Sequence, residues 1–262
     1  MPDSVLLEEA PFLAELERIV RLGEERGIVL RACGSVGLYY RLRYDPGARA
    51  AYLLRDGTAR TSPLFKDLDL ASREKHSSKI YKLLVHELGY KEDRETNALF
   101  GMYRNVYFHP SFSVDIFYDT LHFNHDIPLK DRFPPGVTLS PEDLVLGKLQ
   151  IHKTTHRDLM DLAAAAMAFH IAGLDRNYLA GVLGDDWGFW YDAEQNLRRS
   201  LTLISQLQID GDSAKLDVAS RAERHLREYL DFLHAIPKTK KWEKRSLKGT
   251  SEPWFEDVDE LH

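Results

Sequence analysis

Apolar residues at mixed spacings of three and four run through positions 4 to 26, where Val5, Leu6, Phe12, Leu13, Leu16, Ile19, Val20 and Leu22 sit among Glu and Arg. That spacing predicts an amphipathic helix, with Gly27 placed to end it. Positions 28–33 read as a short buried strand, Gly34-Ser35 as a strand-to-helix turn, and 36–43 as a helical stretch. Asp45-Pro46-Gly47 breaks the pattern, so 44–64 is expected to be an irregular insertion with a strand near 51–54 and a mobile tip. Alternation resumes in Phe65-Lys66-Asp67-Leu68-Asp69-Leu70, and 75–88 reads as a helix with Ile80, Leu83, Leu84 and Leu88 on one face. Positions 97–109 and 112–118 alternate as an antiparallel strand pair ending in Asp115 and Asp119.

Pro128, Pro134, Pro135 and Gly136 then mark a long connection, beyond which the periodicity is helical only, over 141–153, 157–172, 177–183, 187–207 and 214–233. Ser140 is placed as N-cap and Pro141 as first helical residue. From Pro237 the chain is polar, with six basic residues against one acidic between Lys238 and Lys248, and is expected to be loosely held. The fold class is α+β: a small mixed sheet with flanking helices over 1–136, a helical domain over 137–236 and a polar tail over 237–262.

The net charge of −6 argues against a surface wrapped all over nucleic acid, so any such surface must be local. The lone Cys33 excludes an internal disulfide framework and fits a reducing, cytoplasmic compartment. No apolar run approaches the length needed to span a bilayer, and Asp3, Glu8 and Glu9 stand where a signal peptide would be basic and then apolar. No membrane partner is expected.

The chemistry concentrates in three acids. Asp67 and Asp69, at i and i+2 of a strand, project to one face while Leu68 and Leu70 project to the other. Asp115, in Ser113-Val114-Asp115-Ile116-Phe117, has a comparable apolar frame. An Asp-x-Asp pair is commonly a solvated strand edge, but carboxylates on apolar strands repel one another and call for a hard cation such as Mg²⁺ or Mn²⁺. Gly34-Ser35 at a helix start suits a phosphate, since free N–H groups and the helix dipole attract anions, although a Ser there is more often only a cap.

Further on, Lys148 projects from one helix, and Asp158 and Asp161 share a face of the next at i and i+3. The plain alternative is a helix hairpin with capping and paired charges. His152 and His156 straddle a loop, which disfavours a zinc pair. His225 reads as surface charge, and Trp187, Phe189, Trp190 and Tyr191 as packing of the helical domain.

Taken together, Gly34-Ser35, Lys66-Asp67-Leu68-Asp69, Asp115, Lys148 and Arg157-Asp158-Leu159-Met160-Asp161-Leu162 resemble the AbiEii/AbiGii nucleotidyltransferase toxin family of the DNA polymerase β-like superfamily. The resemblance covers about residues 28 to 170 and implies a small mixed sheet followed by a helical domain closing a nucleotide cleft. It implies transfer of NMP from an NTP to an acceptor, with tRNA or another RNA end favoured over a small hydroxylated molecule, and a cognate antitoxin as partner. Asp67, Asp69 and Asp115 would hold the metal, and Gly34, Ser35, Lys66 and Lys148 would bind the triphosphate. Asp158 or Asp161 would orient or deprotonate the acceptor hydroxyl or fix Lys148, and Asp115 is the other candidate base. The stretch between Ser35 and Asp67 is longer than that superfamily usually has, which implies an insertion at the mouth of the site.

Overall fold

Alternation in Asp67–Ser72 decides the sheet, because Leu68 and Leu70 are fully buried while Asp67 is exposed and Asp69 half-buried. The structure, a computed structural model, describes residues 7–55, 65–209 and 213–257. Val5 and Leu6 of the first expected helix, and 56–64, the tip of the expected insertion, lie outside the described residues. The architecture is α+β, as the sequence predicts, with a small mixed sheet and a helical C-terminal region. Among the described residues no helix is long and apolar enough to cross a membrane.

The chain divides into two compact units. The first gathers the described residues of Met1–Arg41, Arg60–His122 and Pro128–Ser140, and the second those of Leu42–Ala59, Phe123–Ile127 and Pro141–His262. The sequence divides the chain after residues 136 and 236, whereas the second unit includes Leu42–Ala59 and runs through the described part of the tail.

In the first unit the five-stranded sheet runs β1 (Arg31–Ala32), β2 (Asp67–Ser72), β5 (Ser113–Tyr118), β4 (Arg104–Phe108) and β3 (Lys91–Glu92) in spatial order. Strands β2 and β5 are parallel and the remaining neighbours antiparallel. On one face Leu68, Leu70, Val114 and Ile116 are wholly buried. Helix α1 (Glu9–Glu25) sends Phe12 against Phe65 and Phe112, the residues just ahead of β2 and β5, at ring distances of 4.7 and 4.8 Å. Helix α2 (Gly34–Leu42) follows β1 after one residue and adds Tyr39 to the same aromatic cluster, 5.6 Å from Phe65.

Two stretches differ from the sequence expectation. Instead of a strand near 51–54, residues Pro46–Leu53 form helix α3. Asp45-Pro46, which reads as a break, is a start signal: Asp45 accepts from the N–H groups of Gly47 and Ala48, and Pro46 occupies the first turn where its missing N–H costs nothing. Buried Ala48, Ala51 and Tyr52 then recur at helical spacing. Likewise 97–109 is not one strand, since Asp93 caps helix α5 (Arg94–Phe100) ahead of β4. Asn97 links them, its side chain accepting from Val106 N–H at 2.6 Å and donating to Val106 O at 3.3 Å. The expected 75–88 helix opens as 3-10 at Glu74–His76, continues as α4 (Ser77–Tyr81) and closes in a π turn, Lys82–Glu87. The connection beyond β5 holds two short strands, β6 (Thr120–His122) and β7 (Asp126–Pro128).

The second unit is helical: α3 packs on α7 (His156–Ala168), and α7 on α6 (Pro141–Leu149), α9 (Trp187–Ile209) and α10 (Ser213–Ala235). Helix α8 (Arg176–Asp185) lies on α9. The polar tail is not loosely held. Thr239 caps α11 (Lys240–Ser246), Trp242 meets Trp190 at 5.4 Å, and Trp254 Nε1 donates to Asp192 Oδ1 at 3.2 Å. Gly188 makes room for that return, because a Cβ there would lie 2.3 Å from Trp254 O. Basic composition concealed this packing, since the residues that anchor the tail are indoles scattered between the lysines.

Candidate functional site

Register brings the three strand acids to one face of the sheet. Asp69 pairs across the parallel ladder with Asp115, and Asp67 with Ser113. Residues two apart on a strand share a face, so Asp67, Asp69, Ser113, Asp115 and Phe117 all lie opposite the buried Leu68, Leu70, Val114 and Ile116. The Ser113 hydroxyl donates to Asp67 Oδ1 at 2.7 Å. Across the antiparallel side, Arg104 of β4 pairs with Phe117, and its Nε donates to Asp115 Oδ1 at 2.8 Å. Asp115 is buried and Arg104 partly exposed, so this ion pair meets much of the cost of desolvating the carboxylate. Lys66, exposed just ahead of β2, contributes its backbone carbonyl to Ser113 N–H at 3.0 Å.

The Gly34-Ser35 turn abuts these acids. Cys33 N–H donates to Asp69 O at 2.9 Å, which continues the β1–β2 ladder to the first turn of α2. Gly34 has φ +56, and a Cβ there would lie 2.2 Å from Asp69 Oδ2. Only glycine meets both conditions: the left-handed conformation and the space taken by the carboxylate. Gly34→Ala should therefore cost only about 1–3 kcal/mol of stability, because the clash is with the end of a flexible side chain. It should nevertheless displace Asp69 and, if that face holds a divalent cation, weaken magnesium binding by roughly tenfold or more, about 1.4 kcal/mol. Calorimetric titration beside a urea melt checks both halves.

Cys33, 2% exposed, follows the same face. Burial pushes its thiol pKa well up, and the fields of Asp69 and Asp115 push it further. The thiol therefore stays protonated, and the native protein should resist alkylation by iodoacetamide at neutral pH while the urea-unfolded chain reacts fully. Rapid labelling of the native form would show that the acids do not surround it.

The donor chemistry suits a hard divalent cation, but the side chains do not form a ready-made cage. Among the described residues no group of three or more His, Cys, Asp or Glu side chains is arranged to hold a metal ion. Asp115, expected as a third ligand, is engaged by Arg104. Mg²⁺ is typically held by one or two carboxylates together with substrate phosphates and water, rather than by an all-protein shell. Asp67 and Asp69 meet that lesser requirement.

Lys148, Asp158 and Asp161 come together in the second unit. Lys148 Nζ lies 2.8 Å from Asp161 Oδ2 and 3.4 Å from Asp158 Oδ1. Asp161 is 0% exposed, and its Oδ1 lies 3.3 Å from Arg55 Nε. Asp158 is the third residue of α7 and forms a capping box with Thr155, accepting from Thr155 N–H at 3.0 Å and Oγ1 at 2.7 Å. Burial opposes the Lys148 charge, but Asp161 and Asp158 together outweigh it and hold the ammonium pKa above its ordinary value. Burial likewise opposes the Asp158 carboxylate, and Lys148 with the Thr155 hydrogen bonds outweighs it, holding that pKa down. Two cations and two carboxylates thus balance. Asp161 has no exposed surface through which to meet an acceptor hydroxyl, so of its two expected roles the geometry favours fixing Lys148. Arg157 is exposed.

Sequence reasoning missed three members of these groups. Arg104 and Arg55 become neighbours of the acids only through tertiary packing, and nothing in their local sequence announces it. Ser113, two residues before Asp115, was available from strand period alone. His225 is not surface charge: it is buried, stacked on His170 at 4.1 Å, with Nδ1 3.1 Å from Glu228 Oε2. His152 and His156 point to different partners, Asp192 and the Arg55 carbonyl. No protein-family model matches the chain and no curated protein matches it in sequence, so the resemblance to the AbiEii family rests on the motif residues themselves.

Proposed function

We propose that the protein is a metal-dependent nucleotidyltransferase that moves NMP from an NTP to an acceptor hydroxyl, with an RNA end such as that of tRNA as the favoured acceptor. One observation carries the reading: Asp69 and Asp115 are paired in register on adjacent parallel strands, with Asp67 on the same face and the Gly34 backbone packed against Asp69. Two carboxylates on one strand face beside a backbone turn at a helix start are the donors that a divalent cation shared with a triphosphate would use.

Asp67 and Asp69 would hold a divalent cation, which when bound neutralises the triphosphate and draws charge from the α-phosphate. The N–H groups at the start of α2, behind Gly34 and Ser35, face an anion favourably. In the transfer the acceptor oxygen forms a bond to the α-phosphorus, the bond to the β-phosphate bridge breaks, and pyrophosphate leaves with that electron pair. Asp115 would be the candidate to take the acceptor proton, with Arg104 holding its carboxylate in position.

A second reading draws support from the same ion pair. A module that binds nucleotide without turnover would also show Asp115 committed to Arg104. Incubating the protein with each labelled NTP and total RNA, with and without magnesium, separates the two. The enzyme reading expects magnesium-dependent label in RNA. Nucleotide affinity indifferent to magnesium would overturn it, and magnesium-dependent binding with no labelled acceptor would favour the module.

A further inference from the structure

In a chain of net charge −6, six cations fall between Lys238 and Lys248, against one acid. The second unit gathers four of them, Lys241, Lys244, Arg245 and Lys248, around a cavity of about 680 Å³ whose walls include Trp187, Trp254 and Phe255. Trp254 and Phe255 are half-buried and line it, Phe255 stacked on His152 at 3.6 Å and Trp254 edge-on to Trp187 at 6.4 Å. Four acids, Asp126, Asp185, Asp186 and Glu256, line it too, and two of them are committed to the fold. Asp185 accepts from Thr239 and Lys241, each at 2.9 Å, and Asp186 accepts from Phe189 N–H at 3.0 Å.

The cations differ in what holds them. Arg245 is structural, with its guanidinium 4.8 Å from the Trp187 ring and donating to the carbonyls of Gly249, Glu252 and Pro253. Lys248 and Lys241 make exposed ion pairs, with Glu252 at 2.7 Å and Asp185 at 2.9 Å. Exposed pairs of this kind contribute little and exchange readily for another anion. Lys244, on the same side of α11, makes no ion pair among the described residues.

We infer that this cavity and its lysine rim bind single-stranded RNA, with phosphates on Lys244 and Lys248 and one base entering against Trp254. Cations beside aromatic rings are what a strand of phosphates and flat bases requires, and a concave cavity admits a base where a lipid surface would need a protruding face. The preference for RNA over DNA rests on the nucleotidyl-transfer reading, which supplies an RNA acceptor. The site itself does not depend on that reading.

The test uses the full chain, a short fluorescein-labelled oligouridylate and its deoxy counterpart, titrated by anisotropy across a range of salt. Lys244→Glu with Lys248→Glu should weaken RNA binding by roughly tenfold or more and reduce the salt slope by about 1.4, at about 0.7 per lost phosphate contact. RNA should quench the tryptophan emission of the wild type, and Trp254→Phe should remove part of that quenching. Magnesium-dependent NTP binding by the double lysine variant should stay at the wild-type level, which separates this site from the strand acids. Unchanged RNA affinity and slope in a folded double variant would overturn the inference, as would displacement of the RNA by polyglutamate as effective as by unlabelled oligouridylate. Equal binding of the deoxy strand would overturn the preference for RNA.

Discussion

Lys148→Met should destabilise the protein by about 3–5 kcal/mol, read as a lower urea midpoint at unchanged slope. The side chain is 6% exposed and its ammonium lies 2.8 Å from an Asp161 carboxylate that is 0% exposed. Removing it takes away the ammonium that faces both Asp161 and Asp158, so buried negative charge loses its nearest compensation. Breaking one side of such a group costs more than removing the whole of it. Lys148→Met combined with Asp161→Leu should therefore recover much of the loss, and the two effects should be strongly non-additive. A loss below about 1 kcal/mol for the single variant would mean that the ammonium is solvated, as exposed pairs are. It would then be free to serve a bound nucleotide instead.

The same cluster sets a pH signature. Asp158 has its pKa lowered in the folded state, so its contribution is present above the unfolded value of about 3.9 and is lost as pH falls through the folded one. Lys148 has its pKa raised, so its contribution is present below the unfolded value of about 10.4 and is lost as pH rises through the folded one. The contribution of this cluster should be level between these limits and fall at both ends. Asp158→Asn should shallow the acid limb and, since Asp158 helps to raise Lys148, lessen the alkaline one too.

How much of this was legible depended on how local the signal was. The strand acids could be read because strand period places Asp67 and Asp69 together, and apolar neighbours mark both strands as buried. Lys148, Asp158 and Asp161 could be read because helical spacing puts the two acids on one face a short hairpin from the lysine. Arg104 could not be, since its pairing with Asp115 needs the β4–β5 register, and the sequence suggests a longer strand where α5 intervenes. Arg55 comes from a stretch that resembles an irregular insertion until Asp45 is recognised as a cap. The tail misleads for a different reason: its charge density suggests a solvated segment, while Trp242 and Trp254 anchor it.

The strand acids should behave in the opposite way to Lys148. Asp69→Ala should abolish magnesium-dependent nucleotide binding and lower transfer of label by a factor of roughly 10²–10³, the equivalent of about 3–4 kcal/mol of lost electrostatic stabilisation. Stability should fall much less than it does in Lys148→Met. Asp69 faces Asp115 across the ladder and shares a face with Asp67, so removing it relieves like-charge repulsion and leaves the Arg104–Asp115 pair intact. Residues kept for chemistry characteristically sit where they strain the fold, and their removal separates activity from stability. Asp67→Ala should show the same separation, with the loss of one hydrogen bond from Ser113 on an exposed carboxylate as its only structural cost. If instead Asp69→Ala unfolds the protein while nucleotide binding in the surviving fraction persists, the carboxylate is there to brace the Gly34 turn. The case for a cation on this face would then be lost, whatever the motif suggests.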